Sequence, residues 1–168
     1  MKKLILGLFI WGLTTPIFAQ VVEGGTLGEV DLTAVNYKYL AAAGTKNAAL
    51  PVGYLQKHIA EYDVKESEFY TDDYDSYKVT FFIPDGQAVA AYDKNGNILR
   101  TIEKYKDVTL PRPVLESVAK QYPKWSIYKD VYGITYHQDK GAKKTYKLTL
   151  LNKDKKIKVK MDENGNFL

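Results

Sequence analysis

The stretch Tyr92 to Leu99, YDKNGNIL, recurs as MDENGNFL from Met161 to Leu168, at an offset of 69 residues. Asn-Gly between two alternating runs is the strongest short hairpin signal, because a type I′ turn needs positive φ at both central residues. Working backward at the same offset, Tyr77-Lys78-Val79-Thr80-Phe81 lies over Tyr146-Lys147-Leu148-Thr149-Leu150. Further upstream, LPVGYLQKHIAEY (Leu50 to Tyr62) lies over LPRPVLESVAKQY (Leu110 to Tyr122) at an offset of 60. Three matches in the same order read as an internal repeat. The nine extra residues of the second copy are assigned to a loop around Tyr136 to Lys144, where insertions cost little.

Each copy has a physical reading. Leu-Pro places proline near a helix start, where its missing N–H costs nothing, and Leu55/Ile59 and Leu115/Val118 recur at the spacing of one helical face. Tyr77, Val79, Phe81 and Ile83 share one face of an alternating run, as do Tyr146, Leu148 and Leu150, and Ile157, Val159 and Met161, the pattern of strands with one buried side. Arg100 to Asp107 continues the first hairpin as a strand. The predicted fold class is α+β: two tandem helix-plus-antiparallel-meander units, 50–107 and 108–168, sharing one sheet with the helices on one face. Ahead of them, 20–49 reads as a leader, and Glu29 to Leu40 as a candidate extra strand because Val30, Leu32 and Ala34 alternate.

The first residues read as an address. Lys2 and Lys3 precede an apolar run from Leu4 to Leu13, and Ile17-Phe18-Ala19 has a small residue at the expected cleavage position, so 1–19 is predicted to be a signal peptide. The run is too short to span a bilayer, which takes about 20 residues. Gln20 after the cut offers no lipid acceptor. The expectation is an exported, periplasmic or secreted protein, not lipidated and with no transmembrane segment after cleavage.

The full chain has 168 residues, a formal charge of +4 and no cysteine. Lacking Cys, it has no thiolate zinc site, iron–sulfur cluster or Cys nucleophile. Without Lys2 and Lys3, 22 basic residues face 20 acidic ones, which argues against a nucleic-acid partner. The halves differ sharply: Leu50 to Leu99 carries −5 and Leu110 to Leu168 carries +7. Strand neighbours point to opposite faces, so Lys147, Lys156, Lys158 and Lys160 project away from Leu148, Ile157, Val159 and Met161. Tyr128, Tyr132 and Tyr136 alternate along the preceding strand and are expected to join them. A surface of tyrosines and cations suits protein recognition. These seven residues are the candidate binding face, for a protein of the cell envelope or exterior.

An exported chain with tandem helix-plus-meander units, matched here at Leu110-Pro111, Tyr122-Pro123-Lys124-Trp125, Tyr146 to Leu150 and Met161 to Leu168, resembles the PepSY-like, β-lactamase-inhibitor-protein-like family. That resemblance implies a non-catalytic binding or inhibitor-like module acting through an open sheet face. No intrinsic cofactor is expected. Similar small exported chains are sometimes labelled nicotinate-nucleotide adenylyltransferase. That activity calls for a Gly-rich phosphate turn with a His-x-Gly-His-type motif, whereas His58 and His137 stand far apart in neither context. A structural envelope component is the remaining alternative.

Other chemistry is weakly signalled. Ser67, Ser76, Ser117 and Ser126 lack a Gly-x-Ser-x-Gly elbow. Asp93-x-Asn95-Gly96-Asn97 and Asp162-x-Asn164-Gly165-Asn166 look like calcium loops, but positions six and twelve counted from Asp93 hold Ile98 and Lys104 instead of Gly and Glu. The acids between Glu61 and Asp75 read as a solvated loop.

Overall fold

The computed structural model describes residues 34–168. The signal-peptide reading and residues 20–33 of the leader lie outside the described residues. Six antiparallel strands form one sheet in the order of the chain: β1 (Ser76–Ile83), β2 (Gly86–Asp93), β3 (Ile98–Lys106), β4 (Ser126–His137), β5 (Gly141–Asn152) and β6 (Lys155–Met161). Three α-helices accompany it: α1 (Ala34–Ala43), α2 (Leu50–Glu61) and α3 (Arg112–Gln121). The fold class is α+β.

Alternation decides which side of each strand is covered. Ala88, Ala90 and Tyr92 of β2, Ile134 of β4, and Leu148 and Leu150 of β5 are buried in one cluster with Leu55 and Ile59 of α2 and Val114 and Val118 of α3. Helix α2 lies against β1 and β2, and α1 against β3, β4 and β5. Pro51 sits in the first turn of α2, and Pro111 caps α3. Leu115 does not pair with Val118 as its spacing suggested. It is 44% exposed, and the buried pair of α3 is Val114/Val118, one turn apart.

Three further expectations are corrected. Within Glu29 to Leu40, the described residues from Ala34 onward form α1 instead of an extra strand, with Asn36, Tyr39 and Ala43 on its buried side. A polar residue at the first of those helically spaced positions hides the apolar stripe. The extra residues of the second copy do not make a loop: they lengthen β4 and β5 to 12 residues each, paired as far as His137 with Gly141. The Asn-Gly hairpins are not type I′ turns either. Positive φ occurs at Gly96 and Gly165 but not at Asn95 or Asn164, and the turns close through Gly96 N–H to Asp93 C=O at 3.0 Å and Gly165 N–H to Asp162 C=O at 3.2 Å. This is the longer loop in which a left-handed glycine follows the turn.

Half of the 14 tyrosines in the chain are core residues. Tyr39, Tyr77, Tyr92, Tyr105, Tyr132, Tyr136 and Tyr146 are all buried. Each phenol needs a partner once dry; the Tyr92 hydroxyl donates to the Ile59 carbonyl at 2.7 Å. Among the described residues, the Tyr136 hydroxyl has none. Tyr136→Phe is therefore expected to leave stability unchanged or raise it by about 1 kcal/mol, since only a desolvated hydroxyl is lost. A urea titration that gives a clear loss would show a partner at that oxygen.

Candidate functional site

The side of the sheet away from the described helices is the open face, and the largest group of side chains on it is cationic. Strand β1 contributes Lys78; β3, Arg100, Lys104 and Lys106; β4, Lys129; β5, Lys143 and Lys147; and β6, Lys156, Lys158 and Lys160. The strands contain three acids in all. Glu103 and Asp130 are buried, and Asp93 is folded into its own turn. Among the described residues none of these cations forms an ion pair; the pairs present are Arg112–Glu116, His137–Asp139 and Lys144–Glu163. Pairing register brings the cations together. Lys106, Val131, Lys147 and Lys160 form one row across four strands, and Thr149 and Lys158 the next. Lys147 and Lys160 are directly opposed, a like-charge arrangement that costs stability. Toward β1 the face becomes apolar, with Phe82 72% exposed and the opposed pair Val89 and Ile102 39% and 48% exposed.

Lys147, Lys156, Lys158 and Lys160 stand on this face as their alternation indicated. Tyr128 stands there too, with the Lys156 ammonium 4.6 Å and the Lys129 ammonium 5.3 Å from its ring centre. Tyr132 and Tyr136 do not. Both are buried on the helix side, Tyr132 stacked on Tyr146 at 4.5 Å and Tyr136 edge-on to Tyr39 of α1 at 5.2 Å. The cause is a β-bulge: Ile127 pairs with Leu150 and Lys129 with Thr149, leaving Tyr128 as the extra residue. One inserted residue exchanges the faces of everything that follows it. Alternation also offered residues that were overlooked. Arg100, Lys104 and Lys106 lie between the two stretches whose charges were compared, and their spacing against Thr101, Glu103 and Tyr105 already puts them on the open side.

The other polar constellation is internal. Glu103 is 2% exposed, and its carboxylate accepts four hydrogen bonds. Tyr39 and Thr101 hydroxyls donate to Oε1 at 2.8 and 2.7 Å, and the Gln56 amide and Tyr105 hydroxyl to Oε2 at 3.1 and 2.7 Å. Burial, with the Glu103 charge adding to it, pushes the Tyr39 and Tyr105 phenols far up, so they remain donors. The arrangement joins α1, α2 and β3 and exposes no reactive atom, so it acts as a clamp and not as a general base.

The calcium-like turns use their acids internally. Asp93 Oδ1 accepts the Asn95 and Asn97 N–H groups at 2.8 and 2.9 Å, and Oδ2 the Asn97 amide at 2.8 Å. Asp162 repeats this with Asn164 and Asn166, and these bonds hold its carboxyl below the usual carboxylate range. His58 lies on the exposed side of α2 against Tyr54, and His137 ends β4 beside Asp139. The two histidines belong to separate elements. No protein-family model, no curated protein and no solved structure matches this chain.

Proposed function

We propose that the protein is an exported, non-catalytic binding module that holds an acidic protein partner of the envelope or exterior against its open sheet face. The observation that carries this reading is the set of ten strand-borne cations on the open face, none of them ion-paired among the described residues and two of them, Lys147 and Lys160, directly opposed. A sheet face that needed only solubility would mix signs. Opposed lysines cost stability in the free protein and become favourable when a carboxylate is set between them. The apolar strip of Phe82, Val89 and Ile102 beside them adds the dry contact that interfaces use.

In the same reading the chain is two tandem units, α2-β1-β2-β3 and α3-β4-β5-β6, of the PepSY-like, β-lactamase-inhibitor-protein-like kind. The matching Asp-x-Asn-Gly turns, bonded identically at Asp93 and Asp162, support this. Residues 1–19 act as the signal peptide that delivers it.

Reversing one charge separates this from a purely structural role. Lys160→Glu places an acid opposite Lys147 and is expected to stabilise the free protein by roughly 0.2 to 1 kcal/mol. The same change is expected to weaken capture of the partner from the protein's own cell envelope, with wild-type capture declining as salt rises. Stability is read from urea unfolding, and capture by mass spectrometry of the bound fraction. Recovery of the same proteins in the same amounts by wild type, Lys160→Glu and Lys104→Glu would sink the proposal.

A further inference from the structure

We infer that the partner, on the open-face reading above, enters as an extended acidic segment that pairs with the outer edge of β6. Strand β6 is the last of the sheet, and among the described residues only Phe167 and Leu168 pair beyond it. Leu168 N–H donates to the Lys160 carbonyl at 2.8 Å, so the backbone of Lys160 faces outward. In an antiparallel ladder the outward groups recur at every second residue, which makes Lys158 and Lys156 the next open N–H and C=O pairs.

Natural edges are protected by proline, by bulges or by charge. Strand β6 has no proline, pairs with β5 in unbroken register from Lys155 to Met161, and is guarded by lysine alone. Lysines repel a neutral or basic strand but attract an acidic one, so this edge is selective instead of closed. An added strand would set every second side chain beside Lys156 and Lys158 on the open face, and the others beside half-buried Ile157 and Val159. The fitting segment therefore alternates acidic and apolar residues. A hollow of about 780 Å³ adjoins the edge, lined among others by Tyr122, Val159, Lys160, Phe167 and Leu168, and provides room for its apolar side chains. Main-chain pairing then supplies affinity and the lysines supply selection, the division used in strand addition.

The test uses the full chain and a short peptide alternating glutamate and valine, with binding followed by fluorescence anisotropy. Lys158→Pro removes the outward N–H and the charge, whereas Lys158→Thr removes the charge alone. The expected result is about tenfold weaker binding for the proline variant than for the threonine variant, one lost backbone hydrogen bond being worth about that much. A peptide N-methylated at alternate residues should lose binding to the unaltered protein in parallel, which keeps the test valid if the proline variant folds poorly. Equal binding by both variants and by both peptides, with Lys104→Glu and Lys147→Glu still weakening it, would overturn the edge and leave the open face standing. Binding indifferent to every one of these changes would overturn both. Sedimentation showing a dimer that Lys158→Pro dissociates would replace the acidic segment by a second copy and overturn the inference.

Discussion

Glu103→Leu is expected to lower the stability of the fold by about 4 kcal/mol, enough to leave a domain of ordinary stability largely unfolded at 37 °C. Leucine fills the space but strands four donors: the Tyr39, Thr101 and Tyr105 hydroxyls and the Gln56 amide. Each buried donor left unsatisfied costs about 1 to 3 kcal/mol, reduced where a hydroxyl finds another acceptor. Glu103→Gln is expected to cost less, about 1 to 2 kcal/mol, for a geometric reason. The amide nitrogen can take the place of Oε1, where both neighbours are hydroxyls able to accept, while the amide oxygen continues to receive Gln56 and Tyr105. Urea unfolding of the three proteins checks the order wild type, Gln, Leu. A leucine variant within 1 kcal/mol of wild type would remove the clamp from the account of stability.

Gly165→Ala should be far more damaging than Gly96→Ala, although the two glycines occupy the same place in two copies of one turn. Their φ angles are +84° and +83°, so each alanine meets the same left-handed strain of about 1 to 2 kcal/mol. A methyl at Gly96 has nothing within 4 Å, whereas one at Gly165 falls 2.5 Å from the Pro113 carbonyl oxygen and 2.7 Å from Ser117 Oγ. The obstacle is α3 backbone, which can yield only by lifting the helix from the turn. The loss for Gly165→Ala is expected to exceed that for Gly96→Ala by about 2 kcal/mol or more. Thermal unfolding of both variants supplies the comparison. Equal losses would mean that α3 does not rest on this turn.

Much of this architecture was legible in the chain because hairpins announce themselves locally. The positions of Asp93 and Gly96 and their copies mark two turns, and the alternation around Tyr77 and Leu148 marks strands and their buried sides. What alternation cannot reveal is a change of phase. Tyr128, Tyr132 and Tyr136 are evenly spaced, and nothing in their spelling betrays the bulge that leaves the first outside and turns the other two inward. The clamp was hidden for another reason. A carboxylate in a core is costly unless fully bonded, and Glu103 becomes affordable only through Tyr39 and Gln56, 64 and 47 residues away. Helix α1 is masked in the sequence because Asn36 faces inward, donating to the Ala60 carbonyl at 3.0 Å and accepting from the Ile98 amide at 3.1 Å. Which face is basic could be read from the lysines of β6, and its full extent only once β3 was known to lie at the centre of the sheet.

The order of the strands in the sheet bears on how the chain assembles. Every strand pairs with its immediate neighbours in sequence, so β1 to β3 and β4 to β6 can each grow hairpin by hairpin, and only the β3–β4 pairing waits for a longer connection, 107–125 with α3, to close. The distant commitments belong to α1, whose Asn36 and Tyr39 reach partners 62 and 64 residues later. Sheet growth and helix docking are thus separate entropic problems. The region around Glu103 is where they meet, so a meander formed in advance of α1 would hold that carboxylate short of the Tyr39 bond until the helix arrives.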